Sequence, residues 1–173
     1  MGNRTGLWEN GQLVASHTYN AANQVVGWQY DANGNLLDDG SRSFHYDAAD
    51  RLVQHDGTSY AYNGNGVLLQ ATRDGTTTRY TQDLAAPLSR RVLQATAGVS
   101  TTHSLYGVAR LAAQEGAGPS TWEVADVLGS VRLRVDEAGV PSAPLSYTPF
   151  GVPTAETPDP FSFTGELHVQ GLV

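Results

Sequence analysis

The stretch Tyr30-Asp-Ala-Asn-Gly-Asn-Leu36 decides the fold, because a near copy, Tyr46-Asp-Ala-Ala-Asp-Arg-Leu52, follows it closely. In both copies Tyr precedes an aspartate, Asp31 or Asp47, and an aliphatic residue comes five positions after that aspartate. An aspartate can accept the backbone N–H two residues on, and the Gly34 position suits the positive φ of a tight reversal. The stretch therefore predicts a strand end, a turn and the start of the next strand.

Two further copies extend this pattern in both directions along the chain. One begins at Tyr19-Asn20, and the other begins at Tyr62-Asn63 and has Gly66 at the turn position. Asparagine offers the same side-chain oxygen as aspartate. The four copies therefore predict a tandem repeat rather than isolated turns.

A second kind of turn lies between the copies, at Asp39-Gly40, Asp56-Gly57 and Asp74-Gly75. Asp-Gly between alternating segments is a strong hairpin signal. Each repeat then contains two turns and two short strands. Two residues before three of the tyrosines stand Trp28, Phe44 and Tyr60, so each strand should place a pair of aromatic residues on one face.

These patterns predict an all-β fold, in which tandem β-hairpin repeats form a twisted, mostly antiparallel sheet strip with almost no helix. We divide the chain by motif into hairpin repeats over 1–83, looser repeats and a loop over 84–120, and a distinct C-terminal part over 121–173. In the middle part we expect strands at Leu88–Thr96 and Ser100–Tyr106, and a loop at Ala112–Ser120.

The C-terminal part keeps the repeat spacing in altered form. Asp126 and Gly129 have the same separation as Asp31 and Gly34, and Asp136-x-x-Gly139 repeats it. The stretches Tyr147-Thr-Pro-Phe-Gly151 and Phe161-Ser-Phe-Thr-Gly-Glu166 follow.

Together these motifs resemble the Rhs/YD-repeat family, named for its Tyr-Asp pairs. Asp126-Val-Leu-Gly-Ser-Val-Arg132 and the two aromatic stretches after it resemble the start of the Rhs repeat-associated core. The resemblance implies a long sheet strip wound into a hollow shell. In bacterial members such a shell encloses a C-terminal toxin, and in animal teneurins it is part of an adhesion receptor.

The resemblance also implies where the chain acts and what it contacts. The parent protein should be secreted or lie in the bacterial cell envelope, and the flanking repeats of the same chain should be its neighbours. An enclosed toxin domain or a glycan is a further possible partner. The family's aspartyl autoprotease motif should lie beyond Val173, so we do not assign that role to Asp159-Pro160. Both ends are expected to be cuts in a longer chain.

Composition argues against several other functions. The net charge is −7 and the sequence pI is about 5.0, which disfavours binding to nucleic acid. The absence of cysteine excludes disulfides and thiol chemistry. No apolar run is long enough for a membrane span.

No motif indicates catalysis, and we expect neither a cofactor nor a metal site. Five histidines are present without metal-ligand spacing. Asp31-x-Asn33-Gly34-Asn35 faintly resembles a calcium loop but lacks the distal glutamate. Structural scaffolding is therefore the predicted role.

The aromatic residues leave an alternative open, which is a carbohydrate-binding or adhesion module. Aromatic faces can stack on sugar rings, and Trp8, Trp28 and Trp122 are the candidates. Core packing is the competing interpretation, and exposure of the indoles discriminates the two. Open sheet edges and an apolar face also predict self-association.

Overall fold

A computed structural model describes residues 3–85, 91–148, 151–155 and 160–167. By its internal contacts the chain forms two compact units, Met1–Asp56 and Gly57–Val173. We call these unit 1 and unit 2. This division reflects packing, whereas the segments 1–83, 84–120 and 121–173 were drawn by motif and stay a prediction.

Unit 1 consists of three antiparallel hairpins. Their strands are β1 (Gly6–Glu9), β2 (Gln12–Ser16), β3 (Gln29–Tyr30), β4 (Leu36–Asp38), β5 (Phe44–Tyr46) and β6 (Leu52–His55). Phe44 and Tyr46 are half-buried while His45 between them is exposed. The alternation of strand side chains thus places the aromatic pair on one face, as the sequence predicts.

Unit 2 is an antiparallel meander in which each strand pairs with the next. Its strands are β7 (Thr58–Tyr62), β8 (Leu68–Arg73), β9 (Thr76–Asp83), β10 (Arg91–Ala97), β11 (Ser100–Tyr106), β12 (Arg110–Glu115), β13 (Ser120–Ala125) and β14 (Val131–Val135). A single 3-10 turn at Phe163–Gly165 is the helical element among the described residues. The all-β, antiparallel prediction is confirmed.

In the middle of the chain, the structure confirms the strand expected at Ser100–Tyr106 and corrects the loop expected at Ala112–Ser120. Ser100–Tyr106 is a strand as expected, and β10 covers the described part of the strand expected at Leu88–Thr96. Leu88 to Arg90 lie outside the described residues. The loop expected at Ala112–Ser120 is wrong in its bounds, because Ala112–Glu115 continues β12 and Ser120 begins β13, which leaves residues 116–119 irregular. Ala112 is buried in the sheet, so its small side chain reflects close packing and not a loop.

The Asp-Gly turns do not all have the same conformation. Asp74 and Gly75 both have positive φ, 48° and 76°, which is the two-residue turn that suits the twist of a hairpin. Asp39 keeps negative φ, and its carboxylate instead accepts the backbone N–H groups of Ser41 and Arg42. This turn is therefore a wider, side-chain-capped connection between β4 and β5.

The core of unit 2 combines valine, alanine and aromatic side chains. Its buried apolar residues include Tyr60, Val67, Ala71, Val92, Ala112, Val131 and Phe161. Phe161 is distant in sequence from the strands that it covers. Among the described residues no helix is long and apolar enough to cross a membrane.

Candidate functional site

The turn after Tyr30 is closed by one aspartate. The Oδ1 atom of Asp31 accepts the backbone N–H of Asn33 at 2.9 Å and that of Asn35 at 2.8 Å. The Asp31 N–H donates to the Asn35 carbonyl, and the Gly34 N–H donates to the Asp31 carbonyl. Tyr30 then pairs with Leu36 across the turn. One side chain thus satisfies two backbone donors that the reversal would leave without partners.

The same arrangement recurs along both units. The Asx oxygen accepts the N–H groups two and four residues later at Asn20, Asp47, Asn63 and Asp126, and the N–H four residues later at Asp136. The third residue after each Asx has positive φ, at Asn23, Gly34, Asp50, Gly66, Gly129 and Gly139. We call this arrangement the Asx turn. It places Asp126 and Gly129 in the same local geometry as Asp31 and Gly34.

Two further turns of this type have no Asx residue. The sequence pattern assigned Tyr147 and Gly151 to the repeat but did not identify Thr148 or Ser162 as the turn residue. The Thr148 hydroxyl accepts the Val152 N–H at 3.2 Å, and Tyr147 pairs with Pro153 as Tyr30 pairs with Leu36. Phe161 pairs with Leu167 in the same way, and the Gly165 N–H donates to the Ser162 carbonyl. A signal was available, because glycine follows the aromatic residue by four positions in both stretches.

At three of the turns, the hydroxyl of the preceding tyrosine bonds to the backbone of an earlier part of the chain. The Tyr30 hydroxyl accepts the Val25 N–H at 3.0 Å, and the Tyr19 hydroxyl donates to the Arg4 carbonyl at 2.8 Å. In the C-terminal part the Tyr147 hydroxyl donates to the Val131 carbonyl at 2.6 Å. These bonds give tyrosine a role that phenylalanine cannot fill, because phenylalanine has no hydroxyl.

Neighbouring turns in unit 1 also contact each other directly. Asp50 accepts the side-chain amides of Asn33 and Asn35, both at 2.8 Å, through one carboxylate oxygen. Asn35 also donates to the second oxygen of Asp31 at 2.9 Å. The faint calcium-loop signal at Asp31–Asn35 is therefore accounted for by hydrogen bonds within and between turns.

Hydrogen bonding lowers the pKa values of three turn aspartates, Asp31, Asp39 and Asp47. The Asn35 amide lowers the pKa of Asp31, and the Arg51 guanidinium, which reaches Asp47 at 2.6 Å, lowers the pKa of Asp47. Burial raises the pKa of Asp39, but hydrogen bonds from Ser41 and Arg42 outweigh it and hold that pKa well below its usual range. All three carboxyls are thus favoured in the charged form that closes their turns.

A buried charge cluster lies on one face of unit 2. Arg110 on β12 contacts Glu123 on β13 at 2.6 Å, and Arg134 on β14 contacts the same carboxylate at 3.5 Å. The Arg110 and Glu123 side chains are only 3% and 2% exposed. Ser104 on β11 also accepts from the Arg110 Nε atom. This cluster was missed in the sequence, because its members stand on separate strands and share no motif.

The segment 160–167, which we call the strap, packs on this cluster. The Phe161 ring lies 4.1 Å from the Arg110 guanidinium carbon, and its carbonyl accepts from Arg134 at 2.7 Å. The Val131 N–H donates to the Ser162 carbonyl, and the Thr164 N–H donates to the Ser130 hydroxyl. A cavity of about 160 Å³ remains beside Phe161, lined in part by Tyr106, Arg110 and Glu166.

Two glycines permit the close approach of the strap to neighbouring turns. A Cβ atom on Gly151 would stand 2.5 Å from the Phe163 ring, and one on Gly129 would stand 3.0 Å from the Thr164 carbonyl oxygen. Both glycines also have positive φ, 86° and 88°. Gly151 and Gly129 therefore serve the turn and the contact with the strap at once.

The family model of the teneurin YD-shell matches residues 9–93. Residues 9–93 belong to the YD-shell family. The turns at Asn20, Asp31, Asp47 and Asn63 lie inside the YD-shell match, and those from Asp126 onward lie outside it with the same geometry. A search of the curated proteins found no match for the chain.

The three tryptophans of the chain differ in exposure. Trp8 on β1 of unit 1 is 64% exposed, and Trp122 on β13 of unit 2 is 46% exposed. Trp28 is half-buried and packs edge-on against His17, with ring centroids 5.5 Å apart. Over the described ranges, no group of three His, Cys, Asp or Glu residues is placed to hold a metal ion.

Proposed function

We propose that this chain is a non-catalytic wall segment of a YD-repeat shell. The observation that carries the proposal is the Asx turn, repeated from Asn20 to Thr148 and coinciding in the first half with the YD-shell match. Each repeat adds a hairpin whose backbone bonds are satisfied by its own turn residue. Repetition of such a unit extends the sheet, and the wall of a shell requires an extended sheet.

The proposal extends to enclosure of a C-terminal toxin, in a parent protein that is secreted or lies in the cell envelope. The support is the resemblance of Asp126–Arg132 and of Phe161–Glu166 to the Rhs core. Expressed with the flanking repeats of its parent, the shell should shield a reporter peptide fused after the core from added protease. The isolated chain with the same reporter is the control and should give no shielding. Digestion at equal rates in both would contradict enclosure.

Absence of catalysis is tested on the chain itself. Purified chain is expected to give no turnover of ester, glycoside or peptide substrates. Turnover that purifies with the chain and is abolished by unfolding it would contradict the scaffold proposal. Sugar binding is not part of the proposal, because Trp28 is half-buried and its indole packs edge-on against His17. A glycan array signal lost on Trp28→Ala would reverse that choice.

Self-association of the chain is part of the proposal. On β11 and β13, Leu105, Trp122 and Val124 are exposed, and Leu105 and Trp122 both pair with Ala112 of β12, so they share one face. An exposed apolar patch on a sheet favours contact with another chain. Light scattering should give a mass that rises above 18.4 kDa with concentration, and Trp122→Ser should reduce the rise. A constant monomer mass would contradict this.

A further inference from the structure

The fourth copy of the repeat has a glycine that its turn does not require. Gly64 directly follows the turn residue Asn63, at a position where the three earlier copies have alanine, namely Ala21, Ala32 and Ala48. The φ of Gly64 is not in the left-handed region, and a Cβ atom there would meet nothing within 4 Å. Gly64 therefore serves neither a positive φ nor a close approach of another segment.

The side-chain amide of Asn63 carries two backbone donors on its oxygen. Its Oδ1 atom accepts the N–H of Asn65 at 2.9 Å and that of Val67 at 3.0 Å. Two N–H groups aimed at a carbonyl oxygen stabilise the negative charge that develops there when a nucleophile adds to the carbon. The Asx turn at Asn63 thus has the donor arrangement of an oxyanion hole around its own amide.

The backbone nitrogen of Gly64 is the nucleophile closest in the chain to this amide. Its addition to the Asn63 Cγ atom closes a small ring within one residue pair, so no distant group has to be brought up. Glycine has no Cβ atom to crowd that ring. Gly64 is exposed, so water has access to the pair.

The other Asn-Gly pairs of the chain lack this combination. The N–H of Gly34, after Asn33, and that of Gly66, after Asn65, each donate to the backbone carbonyl of the turn's first residue. Asn10 has a φ of 49° in the hairpin turn between β1 and β2. Among the Asn-Gly pairs in the described part of the chain, the two donors are found at Asn63 alone.

We propose that Asn63–Gly64 is a self-modification site, at which the Asx turn promotes deamidation of Asn63 to aspartate. The Gly64 nitrogen bonds to the Asn63 Cγ atom, and the Cγ–Nδ2 bond breaks with release of ammonia, which takes the Gly64 proton. Water then adds to Cγ of the succinimide ring and breaks the new N–Cγ bond, which restores the Gly64 N–H and leaves a carboxylate. The net change is one water consumed and one ammonia released.

The aspartate product retains the turn. Asp31 and Asp47 accept the N–H groups two and four residues later, as Asn63 does. Deamidation therefore converts this copy into the Tyr-Asp form of its neighbours and adds one negative charge, which goes beyond a wall role. Opening of the ring at the main-chain carbonyl would give isoaspartate, whose extra backbone methylene would disturb the pairing of Tyr62 with Leu68. We therefore expect aspartate as the main product in the folded chain.

Storage of freshly purified chain at neutral pH, followed by peptide mass spectrometry, tests the site. Asn63 should lose its amide nitrogen at least about tenfold faster in the folded chain than in guanidinium chloride, because unfolding removes both donors. Folding should not accelerate the loss at Asn10, Asn33 or Asn65, which are internal controls. A folded-state rate at Asn63 equal to or below its unfolded-state rate would overturn the proposal.

Gly64→Ala tests the nucleophile. The added methyl group stands beside the attacking nitrogen and should slow the loss at Asn63 by about tenfold or more. The free energy of unfolding should stay unchanged, because the Cβ atom meets nothing and φ is not positive. An unchanged deamidation rate in this variant would mean that Gly64 does not attack the amide.

Ala21→Gly tests the donors at a second position. The Asn20 Oδ1 atom accepts the N–H of Ala22 at 2.9 Å and that of Gln24 at 3.0 Å, as at Asn63, but Ala21 follows it. Asn20 should therefore stay intact in the wild type and deamidate in Ala21→Gly, faster in the folded chain than in the unfolded chain. Acceleration by unfolding in this variant would contradict the role of the donors.

The product at residue 63 tests the conversion to the Tyr-Asp form. A protease that cleaves before aspartate but not before isoaspartate should cut most of the deamidated chain at this position. Isoaspartate as the main product of the folded chain would overturn the conversion.

Discussion

At the scale of single residues, the Asx turn depends on an oxygen at one position and a positive φ three residues later. The oxygen comes from Asp31, from Asn63 or, less directly, from the hydroxyl of Thr148. The positive φ is supplied by glycine, asparagine or aspartate, as at Gly34, Asn23 and Asp50. Substitution is thus tolerated where the replacement keeps the required atom or conformation.

Gly34→Ala tests the conformational requirement. A Cβ there meets only the Gln24 amide, at 4.0 Å, so crowding is minor and the φ of 91° is the main cost. The free energy of unfolding should fall by about 1 kcal/mol or more. Ala32→Ser is the control at an exposed position of the same turn and should have little effect. Urea denaturation measures both, and equal losses would contradict this account of the turn.

Acid should weaken unit 1 through its turn aspartates. The pKa values of Asp31, Asp39 and Asp47 are lower in the folded chain than their usual values. A depressed folded-state pKa gives stability above the unfolded-state pKa, near about 4, and that stability is lost as pH falls through the folded-state value. Chemical denaturation should therefore show stability falling as pH decreases below about 4.

Asp31→Asn/Asp47→Asn should flatten this dependence on pH. Asn20 and Asn63 show that an asparagine oxygen closes the same turn without a charge. The double variant should retain the fold and lose less stability than the wild type on acidification. An unchanged pH profile would indicate that these two carboxyls do not account for the acid sensitivity.

At the scale of the element, the buried cluster should be sensitive to loss of its carboxylate. Glu123→Gln would leave Arg110 and Arg134 facing each other with the counter-charge between them removed. Breaking a buried pair in this way costs about 3–5 kcal/mol. Glu115→Gln is the matched control, because Glu115 is exposed and the amide oxygen can still accept from Ser100. Thermal or urea unfolding that treats both variants alike would contradict the importance of the cluster.

Elements with local signals could be predicted from the sequence, and those that depend on distant contacts could not. The hairpins around Asp31, Asp47 and Asn63 follow from turn chemistry within a few residues. The strand at Ala112–Glu115 was missed because alanine and glycine composition resembles a loop, while burial in the sheet decides the outcome. Contacts of Phe161 with Arg110 and Arg134 connect positions that have no common spacing.

At the scale of the whole molecule, damage to one turn should stay local. In a repeat fold each unit contacts mainly its neighbours, and stability is approximately a sum of local terms. Asp31→Ala should therefore speed amide exchange around β3 and β4 in unit 1 and leave β11 to β13 in unit 2 unchanged. Loss of protection throughout both units would mean that the chain unfolds as one cooperative body.

The meander of unit 2 has a consequence for mechanical load. Every strand from β7 to β13 is bonded to the strand that follows it in the chain. Tension applied along the chain would therefore pull the outer strands away from the sheet. Their hydrogen bonds would break one after another and not all at once. At the C-terminal side the strap would resist this separation, because Phe161 contacts Arg110 of β12 and Arg134 of β14. Releasing the strap would also break the bonds from the Val131 N–H to the Ser162 carbonyl and from the Thr164 N–H to the Ser130 hydroxyl.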